Sequence, residues 1–102
     1  MGPTRAARVV RLMRRWGLTY RTAVRVQHLL ESHAGLKITS GRRGVAHNKA
    51  VGGARNSRHL RGTAVDLVGP ASGLSDARAH ARRSAAVEVL DEGDHTHLAW
   101  LD

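Results

Sequence analysis

The stretch Ser57-Arg58-His59-Leu60-Arg61-Gly62-Thr63-Ala64-Val65-Asp66-Leu67 limits what this chain can fold into more than any other. Its second half alternates as a strand does, which predicts a strand over residues 63–68. Thr63, Val65 and Leu67 then share one face, and Ala64, Asp66 and Val68 the other. An apolar row enters a core while a carboxylate stands on the opposite face, where the small Ala64 leaves room above the sheet. Gly62 permits a bulge or tight turn ahead of the strand, which lets His59 fold back toward Asp66. A second histidine-bearing stretch, Asp94-His95-Thr96-His97, follows near the C-terminus. His59, Asp66 and one of the two late histidines would offer a metal two imidazoles and a carboxylate. Three protein ligands leave one tetrahedral position of zinc open, which marks a catalytic rather than a structural site. A lone His-x6-Asp would be read as surface residues; the late Asp-His-x-His favours the metal.

With 102 residues the chain has room for one domain and one modest core. Phe is absent, so Leu, Val, Ile and Ala must fill that core with two Trp and one Tyr. A bound metal would therefore contribute to folding as well as to chemistry. Cysteine is also absent, which excludes disulfides and thiolate ligands, so zinc would have to use His, Asp or Glu. A net charge of +9 points to a polyanionic partner, either nucleic acid or an anionic cell wall. Arginine-rich composition is common enough that charge alone identifies neither. No apolar run is long enough to span a membrane. Val9-Val10-Arg11-Leu12-Met13-Arg14-Arg15 is interrupted by charge too soon for a secretory signal, so no export signal is expected and synthesis is expected in the cytoplasm.

Residues 5–16 are predicted to be helical, with Ala6, Val9, Val10, Met13 and Trp16 at helical spacing and Gly17 as the stop. Thr19 is the expected N-cap of a second helix over 20–33, whose Ala23, Val26, Leu29 and Leu30 share a face, with Gly35 closing it. Arg21 and Arg25 could meet phosphates in a helix-turn-helix, but two amphipathic helices about a glycine turn are more often core packing. Residues 36–39 read as a short strand and 40–57 as a glycine-rich loop. That loop lacks Gly-x4-Gly-Lys-Ser/Thr, and it is expected to bind substrate. Ser75 is the expected cap of a third helix running to about Leu90, with Arg78, Arg82 and Arg83 solvated and His80 exposed. After Gly93, residues 95–101 read as a final strand with His95, His97, Ala99 and Leu101 on one face.

Several of these segments form an ordered set. Ile38-Thr39-Ser40-Gly41-Arg42-Arg43 comes first, then His47-Asn48, Val51-Gly52-Gly53-Ala54, Asn56-Ser57-x-His59-x2-Gly62-x-Ala64-x-Asp66 and Asp94-His95-x-His97. Over residues 36–101 the chain resembles the zinc D-alanyl-D-alanine carboxypeptidases. That family includes the bacteriophage L-alanyl-D-glutamate endopeptidases and shares its fold with the hedgehog signalling domain. Residues 1–35 carry no motif of it. The resemblance implies an α+β domain over residues 1–102, a small antiparallel sheet with flanking helices. It implies one zinc per chain on His59, Asp66 and His97, with Asp94 acting on the metal-bound water and His95 assisting the tetrahedral intermediate. Arg43 would hold a substrate carboxylate or carbonyl, with Arg42 as the adjacent alternative, and Ser57 would position the loop bearing His59.

The expected function is a zinc peptidase acting on peptidoglycan stem peptides, as a phage endolysin or virion-associated wall hydrolase delivered by a holin or the virion. A monomer that binds no nucleic acid is expected. One rival is a non-catalytic, zinc-containing, hedgehog-like binding module; another is a basic nucleic-acid-binding protein. The general base is assigned to Asp94 over Glu92. A regular strand would turn Asp94 away from the histidine face, but Gly93 makes the chain irregular there. Glu92 would lie beyond the glycine, near the end of the third helix.

Overall fold

The structure is a computed structural model that describes residues 2–102. It contains α1 (Arg5–Trp16), α2 (Tyr20–Ser32), β1 (Lys37–Ser40), α3 (Val45–Ala50), a 3-10 turn (Arg58–Arg61), β2 (Ala64–Val68), α4 (Ala71–Arg83), β3 (Glu88–Asp91) and β4 (Thr96–Ala99). The four strands form one antiparallel sheet in the order β1-β2-β4-β3. The fold class is α+β. No helix among the described residues is long and apolar enough to cross a membrane.

Local chemistry sets the helix ends. Thr4 Oγ1 accepts a hydrogen bond from the Ala7 amide (3.1 Å), and Thr19 Oγ1 accepts one from the Thr22 amide (3.3 Å). Gly17 stops α1 in the left-handed region at φ 65°. Val9 and Leu12 of α1, Ala23, Val26 and Leu29 of α2, and Leu74, Ala77 and Ala81 of α4 are buried together. They pack with Val65 and Leu67 of β2, Leu98 of β4, and Trp100. The Trp100 indole supplies the bulk that missing Phe residues cannot, and its N–H donates to the Ser84 carbonyl (3.2 Å). As the alternation of residues 64–68 predicts, Val65 and Leu67 enter this core. Asp66 is left on the other sheet face.

The expected third helix is corrected at both ends. Pro70 is the N-cap of α4, Ser75 lies inside it, and the helix stops at Arg83 rather than near Leu90. Ala85 then turns at φ 65°, and Glu88–Asp91 becomes β3. The physical reason is strand pairing: Val89 lies opposite Leu98 and Leu90 opposite His97, so β3 covers an edge of β4 that would otherwise lack partners. Arg78 is half-buried and donates to Thr96 Oγ1 (2.7 Å) instead of being solvated. His80 is likewise half-buried, its Nδ1 3.0 Å from His33 Nε2. The span 40–57 is not all loop, since α3 lies within it. β4 begins at Thr96, so His95 falls in the irregular segment that follows Gly93 (φ 89°).

The turn between α1 and α2 is joined to both motif loops. The Arg42 amide donates to the Trp16 carbonyl (2.7 Å), and the Thr19 amide to the Gly62 carbonyl (3.0 Å). A Cβ on Gly41 would run into the Trp16 carbonyl, and one on Gly62 (φ 74°) into the Gly17 carbonyl. Only glycine allows backbones to approach so closely.

Candidate metal centre

His59 sits on the 3-10 turn. Ser57 Oγ accepts from the His59 amide (3.2 Å), and Gly62 in the left-handed region ends the turn two residues before the strand begins at Ala64. The ring thereby folds back over the sheet and is almost wholly buried. Asp66 and His97 need no such device, because they are Cα partners across the β2–β4 ladder and point to the same face.

The three side chains converge. His59 Nε2 lies 3.2 Å from Asp66 Oδ1 and 3.2 Å from His97 Nδ1, and His97 Nδ1 lies 3.2 Å from Asp66 Oδ1. What makes this a ligand set is where the other nitrogens go. His59 Nδ1 is 2.8 Å from the Gly41 carbonyl, which can only accept, so the proton is on Nδ1 and Nε2 presents its lone pair inward. His97 Nε2 is 2.9 Å from Glu88 Oε1, so in the neutral ring Nδ1 is the bare atom. Two nitrogen lone pairs and one carboxylate oxygen thus face a common point in a buried site. Left without a cation or proton between them, such groups cost about 1–3 kcal/mol each in lost hydrogen bonding.

A proton shared among these groups would do the same work. Burial pushes the His97 pKa down, but hydrogen bonds to Asp66 and Glu88 outweigh it and raise the pKa above the usual histidine value. Burial likewise pushes Asp66 upward, yet its close contacts with His59 and His97 hold its carboxyl well below the ordinary range. An imidazolium bridging two carboxylates is what a divalent cation would displace, releasing the proton.

Arg43 backs the carboxylate from outside. Its Nη2 donates to Asp66 Oδ2 (2.9 Å), its Nε to Ser40 Oγ (3.2 Å) and its Nη1 to Asn48 Oδ1 (3.4 Å). This leaves Oδ1 facing the histidines. Asn48, buried on α3, also donates to the Ala54 carbonyl (2.8 Å) and so ties the glycine-rich loop to Arg43.

The three ligand candidates open onto a cleft of about 820 Å³. Arg43, Ser57, Asp94 and His95 line it, together with Glu88, Leu90 and Glu92 from the β3–β4 hairpin. Arg42 does not; its side chain lies against Gly17. Asp94 is 92% exposed at the hairpin mouth, with Oδ1 2.6 Å from His95 Nδ1. That hydrogen bond holds the Asp94 carboxyl below its usual range. It also raises His95, which burial partly opposes. Glu92 stands on the other side of the same ring, 3.9 Å from His95 Nε2. Far from ending a helix, Glu92 closes the hairpin, its amide donating to the His95 carbonyl (3.0 Å).

Glu88, Asn48 and the Gly41 carbonyl were not assigned roles in the sequence reading. Glu88 could have been found only by recognising the alternation of Val87-Glu88-Val89-Leu90 as a strand.

Comparison with known proteins adds two findings. Residues 9–99 match the family described as Peptidase M15. Over 72 residues the chain is 39% identical to the zinc D-Ala-D-Ala carboxypeptidase of Streptomyces albus G, a match covering 66% of this chain and 28% of that relative.

Proposed function

The chain belongs to the peptidase M15 family, and from that premise we propose that it is a zinc metallopeptidase acting on peptidoglycan stem peptides. The observation that carries the reading is the buried convergence of His59 Nε2, Asp66 Oδ1 and His97 Nδ1, each already oriented by an outer partner. Two nitrogens and one oxygen suit zinc, and three protein ligands leave a position open toward the cleft. When bound there, zinc would polarise a carbonyl and bring the pKa of water to about 7.

The chain's own residues do the rest. Asp94 is ionised at neutral pH, since its pKa is lowered, and it accepts the proton of the attacking water and returns it to the leaving amine. His95, made more basic by Asp94, brings positive charge to the cleft wall where the carbonyl oxygen becomes negative. Arg43 uses one N–H on each of its three nitrogens within the protein and keeps one on each terminal nitrogen. Those two grip a substrate carboxylate. The order of the motifs, resembling that of the zinc D-alanyl-D-alanine carboxypeptidases and their phage endopeptidase relatives, supports a peptidase acting on the bacterial wall, and we read it as a lytic one.

The test is digestion of purified muropeptides by zinc-loaded protein, with and without chelator, followed by mass spectrometry of the products. Loss of a terminal D-alanine identifies a carboxypeptidase, and a new D-glutamate amino terminus an endopeptidase. Zinc-loaded protein that binds muropeptides and releases nothing would instead be a binding module.

Arg43→Lys is expected to lower kcat/KM about 10- to 100-fold while zinc content holds, because a charged hydrogen bond is worth about 1.5–3 kcal/mol and a point charge cannot reproduce the fork. Steady-state kinetics with metal analysis check this. Zinc loss in parallel with activity would make Arg43 a support for Asp66 and no more. An unaffected Arg43→Lys beside an impaired Arg42→Lys would move the role to Arg42.

A further inference from the structure

Glu88 lies on β3, outside every motif, and its place in the sheet is informative. Its Cα is opposite Ala99, which is in turn opposite Ala64, while Leu90 is opposite His97. Glu88 is thus the diagonal neighbour of His97 on the site face, a separation that a long side chain spans. The two alanines on its row leave the sheet surface beside it low. Arg58 reaches in from the 3-10 turn, with Nε 3.7 Å from Glu88 Oε2. That Nε is buried and has no hydrogen-bond partner among the described residues. Glu88 is the carboxylate paired with it among the described residues.

We propose that Glu88 is a positioning residue for the metal centre, fixing the tautomer and ring plane of His97 while Arg58 holds the carboxylate in place. This rests on the zinc reading above. A neutral imidazole has one N–H, and the acceptor it meets decides which nitrogen carries it. Glu88 Oε1 at 2.9 Å from Nε2 puts the proton there and leaves Nδ1 bare toward His59 and Asp66. A ring in the other tautomer would aim an N–H into the space the metal needs. Arg58 adds a second constraint, since it directly precedes His59. One ion pair therefore ties the turn carrying the first ligand to the ring supplying the third.

Glu88→Gln tests this, because the amide keeps the shape but offers both an oxygen and an N–H2 and so satisfies either tautomer. Zinc affinity is read in the full chain by competition with a chelator of known strength, and the His97 tautomer by ring 15N shifts in zinc-free protein in alkaline buffer. Glu88→Gln should weaken zinc binding about 10- to 100-fold, the usual effect of losing such a partner. The shifts should move from the Nε2–H form to a mixture. Glu92→Gln, on the same hairpin but out of contact with His97, should change neither. Should Glu88→Gln fail to fold, Glu88→Asp retracts the carboxylate by one methylene and should weaken zinc in the same direction. Unchanged affinity and unchanged shifts in a folded Glu88 variant would overturn the inference alone. Wild-type protein that takes up no zinc would overturn the proposed function and this inference with it.

Discussion

His59→Ala is expected to abolish zinc uptake and activity together and to remove the zinc-dependent part of the thermal stability. The ring is almost wholly buried, is one of the three proposed ligands, and is the one of them held by a backbone carbonyl. Without it Asp66 and His97 offer two donors, too few to hold zinc against water. The stability arm follows from mass action, since zinc binds a site assembled only in the folded chain. At about a thousand times its Kd, zinc stabilises by about 4 kcal/mol. A domain of this size shifts its Tm by about 4–8 °C per kcal/mol, so wild-type protein should gain about 15 °C or more on adding zinc. His59→Ala should gain nothing. Its metal-free Tm should also fall below that of metal-free wild type, because the Gly41 carbonyl loses its donor. Calorimetry with and without zinc, alongside metal analysis, reads all three. Full zinc occupancy in His59→Ala, and equally in Asp66→Asn and His97→Ala, would sink the ligand assignment.

Asp94→Asn is expected to keep zinc and fold yet lose about two to four powers of ten in rate, the usual span for a general base. Zinc should stay because Asp94 touches none of the three proposed ligands; among the described residues its side-chain partner is His95. Stability should hold because the carboxylate is almost entirely solvated. The competing carboxylate is nearer than the sequence suggested. With β3 in place of a helix end, Glu92 faces the same cleft and flanks the same imidazole from its other nitrogen. Distance separates the two: Asp94 is at hydrogen-bonding range from His95, and Glu92 is not. Glu92→Gln should therefore change the rate far less. Kinetics at equal zinc content with the opposite ranking would transfer the base to Glu92.

How much of this could be read without the structure depended on segment length and on contacts distant in sequence. β2 was legible because five residues alternate cleanly and Gly62 marks where the chain turns into the strand. The Thr19 cap and the Gly17 stop were legible because capping is local chemistry. β3 was not, since it has four residues and follows an alanine-rich helix. So short an apolar run does not separate a period of 2 from one of 3.6. α3 has six residues and buries only Asn48, so it carries no apolar stripe to betray it. The Arg43–Asp66 pair joins positions 23 residues apart, and no local rule reports it. The resemblance began at residue 36, whereas the family match begins at residue 9, inside α1.

That last difference has a counterpart in the α1–α2 turn, whose Trp16 carbonyl and Thr19 amide are bonded to the loops leading to Arg43 and away from His59. Recombination that joined residues 36–102 to a foreign N-terminal segment would transfer every motif residue. It would not transfer the two backbone bonds that hold their loops in register. The smallest piece that carries the site intact therefore includes the helical hairpin, and a cut at residue 35 would separate the motif loops from their backbone anchors.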